Sequence, residues 1–143
     1  MSAQPGELFV FQVGVWALRS NVADIKVEFS DLQGSKGHII DAGRMTCYNT
    51  EGVGFKGNSF EKSVAITAGR IQALLMGVDL EGVDTGNYTG SVTVSSGDEK
   101  QALPVRLNVS GKIIPNHGYN AANRLSRLNW LNSTVGITVY NCL

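Results

Sequence analysis

Apolar side chains recur at every second position along most of this chain, a period that fits β-strands and little else. Phe9, Phe11, Val13 and Val15 alternate in the first run; Ile25, Val27 and Phe29 follow, with Lys26 and Glu28 turned the other way. Tyr88, Val92 and Val94 alternate with Asn87, Thr89, Ser91 and Thr93, and after the turn "SSGDEK" so do Leu103, Val105, Leu107 and Val109 with polar neighbours. That pair reads as a hairpin with a polar outer face. Between these runs, "RIQALLMGVDL" is apolar on both sides, as a covered central strand should be, while "RMTCYN" and "SVAIT" read as shorter strands and "SDLQGSKGH" as a turn. Pro104 cannot donate to a ladder, so the last strand is expected at an edge or bulged there. About seven to eight short strands separated by turns predict an all-β protein, an antiparallel β-sandwich over residues 1–111.

One local motif refines the class. In "DTGNY" (Asp84 to Tyr88), Tyr88 matches the tyrosine corner of immunoglobulin-like sandwiches, where a tyrosine near the start of a late strand bonds back to upstream backbone. The cysteine that an antibody-type domain carries two residues later is replaced by Gly90. The sandwich is expected without the inter-sheet disulfide.

The chain has 143 residues, enough for one domain with a core of its own. Residues 112–143 read as a C-terminal extension: Leu125, Leu128 and Leu131 recur every third position, predicting one short helix, and the apolar ending "SRLNWLNSTVGITVYNCL" suggests a truncated tail. Cys47 and Cys142 could pair only if that tail folds back. Twelve basic and twelve acidic residues cancel, which speaks against a nucleic-acid partner. The run "LFVFQVGVWAL" is preceded by Glu7 and interrupted by Gln12, so it reads as a strand and not as a signal peptide, and no run has the length for membrane insertion. Asn87, Asn108 and Asn132 each begin an N-glycosylation triplet, which leans towards an exported parent protein.

Residues with chemical potential mostly have structural explanations. Asp98-Glu99 is the most tempting carboxylate pair, yet it lies in a hairpin turn where solvated charge is ordinary. His38 and His117 each stand beside a glycine without a second ligand at metal-binding spacing in the sequence. No nucleophile elbow or phosphate loop occurs. The reading is therefore no enzyme, no cofactor and no metal site. The loop "NTEGVGFKGNSF" offers Asn49, Glu51, Phe55, Asn58 and Phe60, which could stack on a sugar and bond its hydroxyls, or pack the aromatics into their own domain or a neighbour; Trp130 is a further candidate for an interdomain contact.

Taken in order, "GELFVFQVGVWAL", "SDLQG", "TCYNTEGVGFKG", "RIQALLMGVDL", "TGNYTGSVTV" and "RLSRLNWLNSTVG" resemble the N-terminal β-sandwich region of glycoside hydrolase family 123-like proteins, from about Gly6 to Gly136. The "RLxWLNST" element is the more specific part. The resemblance implies that such a sandwich precedes a catalytic barrel, whose adjacent Asp-Glu pair serves substrate-assisted hydrolysis of N-acetylhexosaminides. None of those catalytic positions maps onto this chain, and a barrel takes about 250 residues. The expected role is a non-catalytic accessory domain whose partner is the remainder of a larger hydrolase-like protein. The alternative is a stand-alone glycan- or protein-binding module using the Asn49–Phe60 loop.

Overall fold

The computed structural model describes residues 1–118 except Lys36 and Phe55. Expectations for Phe55, Trp130, Asn132, Cys142 and the helix between 120 and 131 therefore lie outside the described residues. Among the described residues eleven strands follow in order: β1 (Ser2–Ala3), β2 (Leu8–Trp16), β3 (Lys26–Phe29), β4 (Leu32–Gly34), β5 (Ile39–Ile40), β6 (Met45–Cys47), β7 (Glu51–Val53), β8 (Ser59–Glu61), β9 (Ile71–Asp79), β10 (Gly86–Ser96) and β11 (Glu99–Val109). One turn of 3₁₀ helix, Ala42–Arg44, sits between β5 and β6 and is capped by the Asp41 carboxylate, which accepts from the Gly43 N–H. The protein is all-β, and no helix among the described residues is long and apolar enough to cross a membrane.

Two sheets carry the architecture. The larger runs β1-β11-β10-β4-β5, with β3 also on β10; the smaller runs β2-β9-β6. Alternation works as the sequence implies. Phe9, Phe11, Val13 and Val15 from β2 and Leu74, Met76 and Val78 from β9 join Val92, Val105, Leu107 and Val109 from the larger sheet in one core. Burial of those faces is the main stabilising term, at about 1.5 to 3 kcal/mol per large side chain. The Gly97-Asp98 turn of the β10–β11 hairpin is two residues long, and Gly97 supplies the positive φ (56°) that a II′ turn requires at its first position. Pro104 pairs opposite Ser91 on the outer strand of this hairpin; β1 covers β11 only at Asn108 and Val109, so β11 is an edge at the proline.

Two local expectations need correction. "SDLQGSKGH" is not all turn: Leu32–Gly34 is strand β4, fully buried at Leu32, because the apolar leucine is drawn into the core. "SVAIT" is not a strand: it lies beside the segment before β3, where Val22 and Ile66 form an isolated bridge and the Ile25 N–H donates to the Val64 carbonyl (3.2 Å). The buried side chain of Ile66, without a ladder, fixes it there.

The flank of β10 explains Gly90. Strand β3 pairs Phe29 with Val92, and β4 pairs Gln33 with Thr89, so Ser30, Asp31 and Leu32 stand opposite only Gly90 and Ser91. That is a β-bulge. Ser30 holds it: its N–H donates to the Ser91 carbonyl (3.0 Å), and its hydroxyl oxygen accepts from the Ser91 N–H (2.9 Å). A Cβ on Gly90 would stand 2.5 Å from Leu32 Cδ2 and 2.7 Å from the Asp31 carbonyl oxygen. The bulge leaves no room for the cysteine that an antibody-type domain has at this position.

Candidate functional site

The loop singled out in the sequence folds as a small hairpin. Strands β7 and β8 pair Glu51 with Glu61, Gly52 with Phe60 and Val53 with Ser59 as a two-stranded sheet beside the sandwich. Two of its polar candidates are committed to structure. Asn49 takes over where β6 ends: its side-chain oxygen accepts from the Leu75 N–H (2.6 Å) and its Nδ2 donates to the Ala73 carbonyl (3.2 Å), extending the pairing with β9. Glu51 Oε1 accepts from the Cys47 N–H at 3.3 Å. Asn58 is exposed, and its carbonyl accepts from the Gly54 N–H to close the turn. Phe60 is 46% exposed, with its ring lying over Gly52. An open cleft of about 520 Å³ separates this hairpin from β3; Asp24, Lys26, Glu28, Glu61 and Lys62 give it mixed charge. Glu28 also pairs with Lys100 on β11 at 3.0 Å.

Tyr88 is buried, and its hydroxyl donates to the Asp84 carbonyl at 2.9 Å. The ring fits because Gly34 on the facing strand has no side chain; a Cβ there would lie 2.8 Å from Tyr88 Cε1. Burial pushes the phenol above its ordinary value, and the nearby Asp84 carboxylate adds to the rise. The same Asp84 carboxylate meets His38 Nδ1 at 3.0 Å, so one residue ties the β4–β5 turn to the start of β10. This constellation is structural: its one proton-bearing oxygen is held against backbone.

Asp98 lies in the β10–β11 turn and Glu99 opens β11, cross-strand from Ser96, with both residues exposed. Asn87 and Asn108 are cross-strand partners on the outer face, and Asn108 Nδ2 donates to Asn87 Oδ1 at 2.7 Å. Cys47 is fully buried.

Two groupings escaped the sequence reading. Trp16 and Ile71 are cross-strand partners at one end of β2 and β9 and are 59% and 69% exposed, with Leu18 exposed nearby in the chain. At the other end, Asp79, Glu81 and His117 bring one ligand atom each within 4.8 Å of one another. Periodicity flags strands, not side chains that meet from distant parts of the chain or emerge at a strand's end.

No protein-family model matches the chain, and no curated protein sequence does either. Among solved structures, the fold is similar to part of a family 123 glycoside hydrolase from Clostridium perfringens, an enzyme described in connection with glycolipid glycan hydrolysis: TM-score 0.63, 16% identity, over 80% of this chain and 23% of the hydrolase. The chain thus spans about a quarter of that enzyme's length. A looser likeness links it to an ASH / PapD-like domain of human CEP192, with TM-score 0.46 and 13% identity over 80% of this chain and 79% of the domain. The fold is that of a β-sandwich also present within a family 123 hydrolase.

Proposed function

We propose that this chain is a non-catalytic accessory β-sandwich that supports or extends the catalytic module of a family 123-like glycoside hydrolase. One observation carries the reading: the similarity takes in 80% of this chain but only 23% of the hydrolase. The exposed Trp16–Ile71 pair with Leu18 suits contact with another module, since contiguous exposed apolar side chains mark interaction surfaces. The sandwich is proposed to extend past the expected boundary at Gly111. Ile114 is buried, its N–H donates to the Pro5 carbonyl (2.8 Å), its own carbonyl presses on Gly6, and His117 bridges to Glu7.

The test is activity. Purified chain should release no aryl aglycone from β-N-acetylgalactosaminides or β-N-acetylglucosaminides above background. Turnover that an Asp98→Asn, Glu99→Gln double variant abolishes would overturn the proposal and make the β10–β11 turn a catalytic site.

A second reading rests on the half-exposed Phe60 ring at the rim of the β7–β8 hairpin. There the chain is a binding module, with Phe60 stacking on a sugar face. Glycan-array binding that Phe60→Ala removes would favour it over the accessory role.

A further inference from the structure

Donor atoms from two distant parts of the chain converge where β9 ends. Asp79 is the last residue of β9, Glu81 follows in the next turn, and His117 arrives from the segment beyond β11. His117 Nδ1 lies 3.4 Å from Asp79 Oδ1, and its Nε2 lies 3.3 Å from Glu81 Oε2. We propose that Asp79, Glu81 and His117 form a zinc-binding site that fastens the segment after β11 to the end of β9.

Geometry supports a metal here. Tetrahedral zinc with Zn–N and Zn–O bonds of about 2.0 to 2.2 Å sets neighbouring ligand atoms about 3.3 to 3.5 Å apart. The 3.4 Å between His117 Nδ1 and Asp79 Oδ1 is that edge. Glu81, whose side chain is 75% exposed, completes the third corner by a side-chain rotation, since its carboxylate now faces the other imidazole nitrogen. Solvent supplies the remaining position.

The frame is already held. Asp79 Oδ1 accepts from the Glu81 N–H at 2.9 Å, and Arg44 Nη1 donates to the Glu81 carbonyl at 2.6 Å. His117 is placed by its backbone bridge to Glu7, and its side chain is only 19% exposed. Outer contacts of this kind orient ligands and raise metal affinity. One imidazole with two carboxylates suits a borderline cation; magnesium and calcium prefer all-oxygen shells with more ligands.

The competing arrangement is an ion-pair cluster of His117 with the two carboxylates and no metal. Calorimetric titration of the full chain with ZnCl₂ separates the two, using a Cys142→Ser background to remove a competing thiol. The expected result is one saturable site, weaker at low pH where protons compete. His117→Ala should weaken binding at least about tenfold, Glu81→Gln should weaken it as well, and His38→Ala should leave it unchanged. Zinc should raise Tm in the parent and not in His117→Ala. Glu81 is exposed, so Glu81→Gln keeps the test valid if the histidine variant folds poorly. Absence of a saturable zinc isotherm, or one that His117→Ala and Glu81→Gln both leave intact, would overturn the site and leave the triad an ion-pair cluster.

Discussion

The β10–β11 hairpin and the β7–β8 hairpin are both two strands joined by a glycine-bearing connection, and they differ in almost everything else. The first pairs eleven residues on each strand and buries Tyr88, Val92, Val105, Leu107 and Val109. The second pairs three, forms a sheet of its own and leaves Phe60 half in water. Turn chemistry does not separate them. A lone two-stranded hairpin is marginal in water, and what secures one is a hydrophobic face covered by other elements. The long hairpin has that cover from the β2-β9-β6 sheet, whereas the short one is moored at its base by Asn49, by the Glu51 contact to the Cys47 N–H, and by the Lys62 N–H donating to the Thr50 carbonyl (2.7 Å).

The sharpest way to break the contrast is to overfill the long hairpin. Gly90→Ala places a methyl against the Asp31 carbonyl and Leu32, and because a backbone atom is involved the bulge must shift. A loss of about 2 to 3 kcal/mol in a denaturant titration is expected. An unchanged midpoint would mean the β3–β4 flank is loose and the two hairpins are less different than their burial implies.

Tyr88→Phe is the next largest. Removing the hydroxyl leaves the Asp84 carbonyl without that donor, at a cost of about 1 to 2 kcal/mol with the fold intact. The pH dependence gives a second readout. The folded-state pKa of Tyr88 lies above the ordinary value of 10.0, so the folded protein binds the proton more tightly than the unfolded chain. Its contribution is complete below that value and is lost as pH rises from there through the folded pKa. Parent and Tyr88→Phe should converge in Tm across that alkaline window; parallel curves would contradict a buried, neutral phenol.

Phe60→Ala should have the smallest effect, about 1 kcal/mol or less, because its ring is already half in water. A loss near 3 kcal/mol, as for a core phenylalanine, would show that the short hairpin is fastened through this ring and erase the contrast.

Much of the fold was legible in residue order. The period-two runs became β2, β3, β10 and β11, the run apolar on both sides became β9 between β2 and β6, and Pro104 reached an edge, because strand patterning and a missing N–H are properties of the local chain. The segment of β4 carries turn-formers, Asp31, Gly34 and Ser35, and burial of Leu32 overrides them. Of the loop candidates, Asn49 and Glu51 carry the right polarity for a ligand but spend it on the Leu75 and Cys47 backbone. Composition cannot tell a side chain that greets solvent from one that completes a ladder.

By itself, then, the sequence determined the all-β class, the long strands with their inward faces, and an edge or a bulge at Pro104, all of which follow from spacing and backbone chemistry within a few residues. Only the tertiary structure decided that a bulge crosses Gly90, that the β7–β8 hairpin stands apart from the core, that Trp16 and Ile71 form one exposed pair, and that His117 meets Asp79 and Glu81. Each of these depends on which distant segments are brought into contact. That is fixed by how the two sheets share one core, and alternation along a single strand does not encode it.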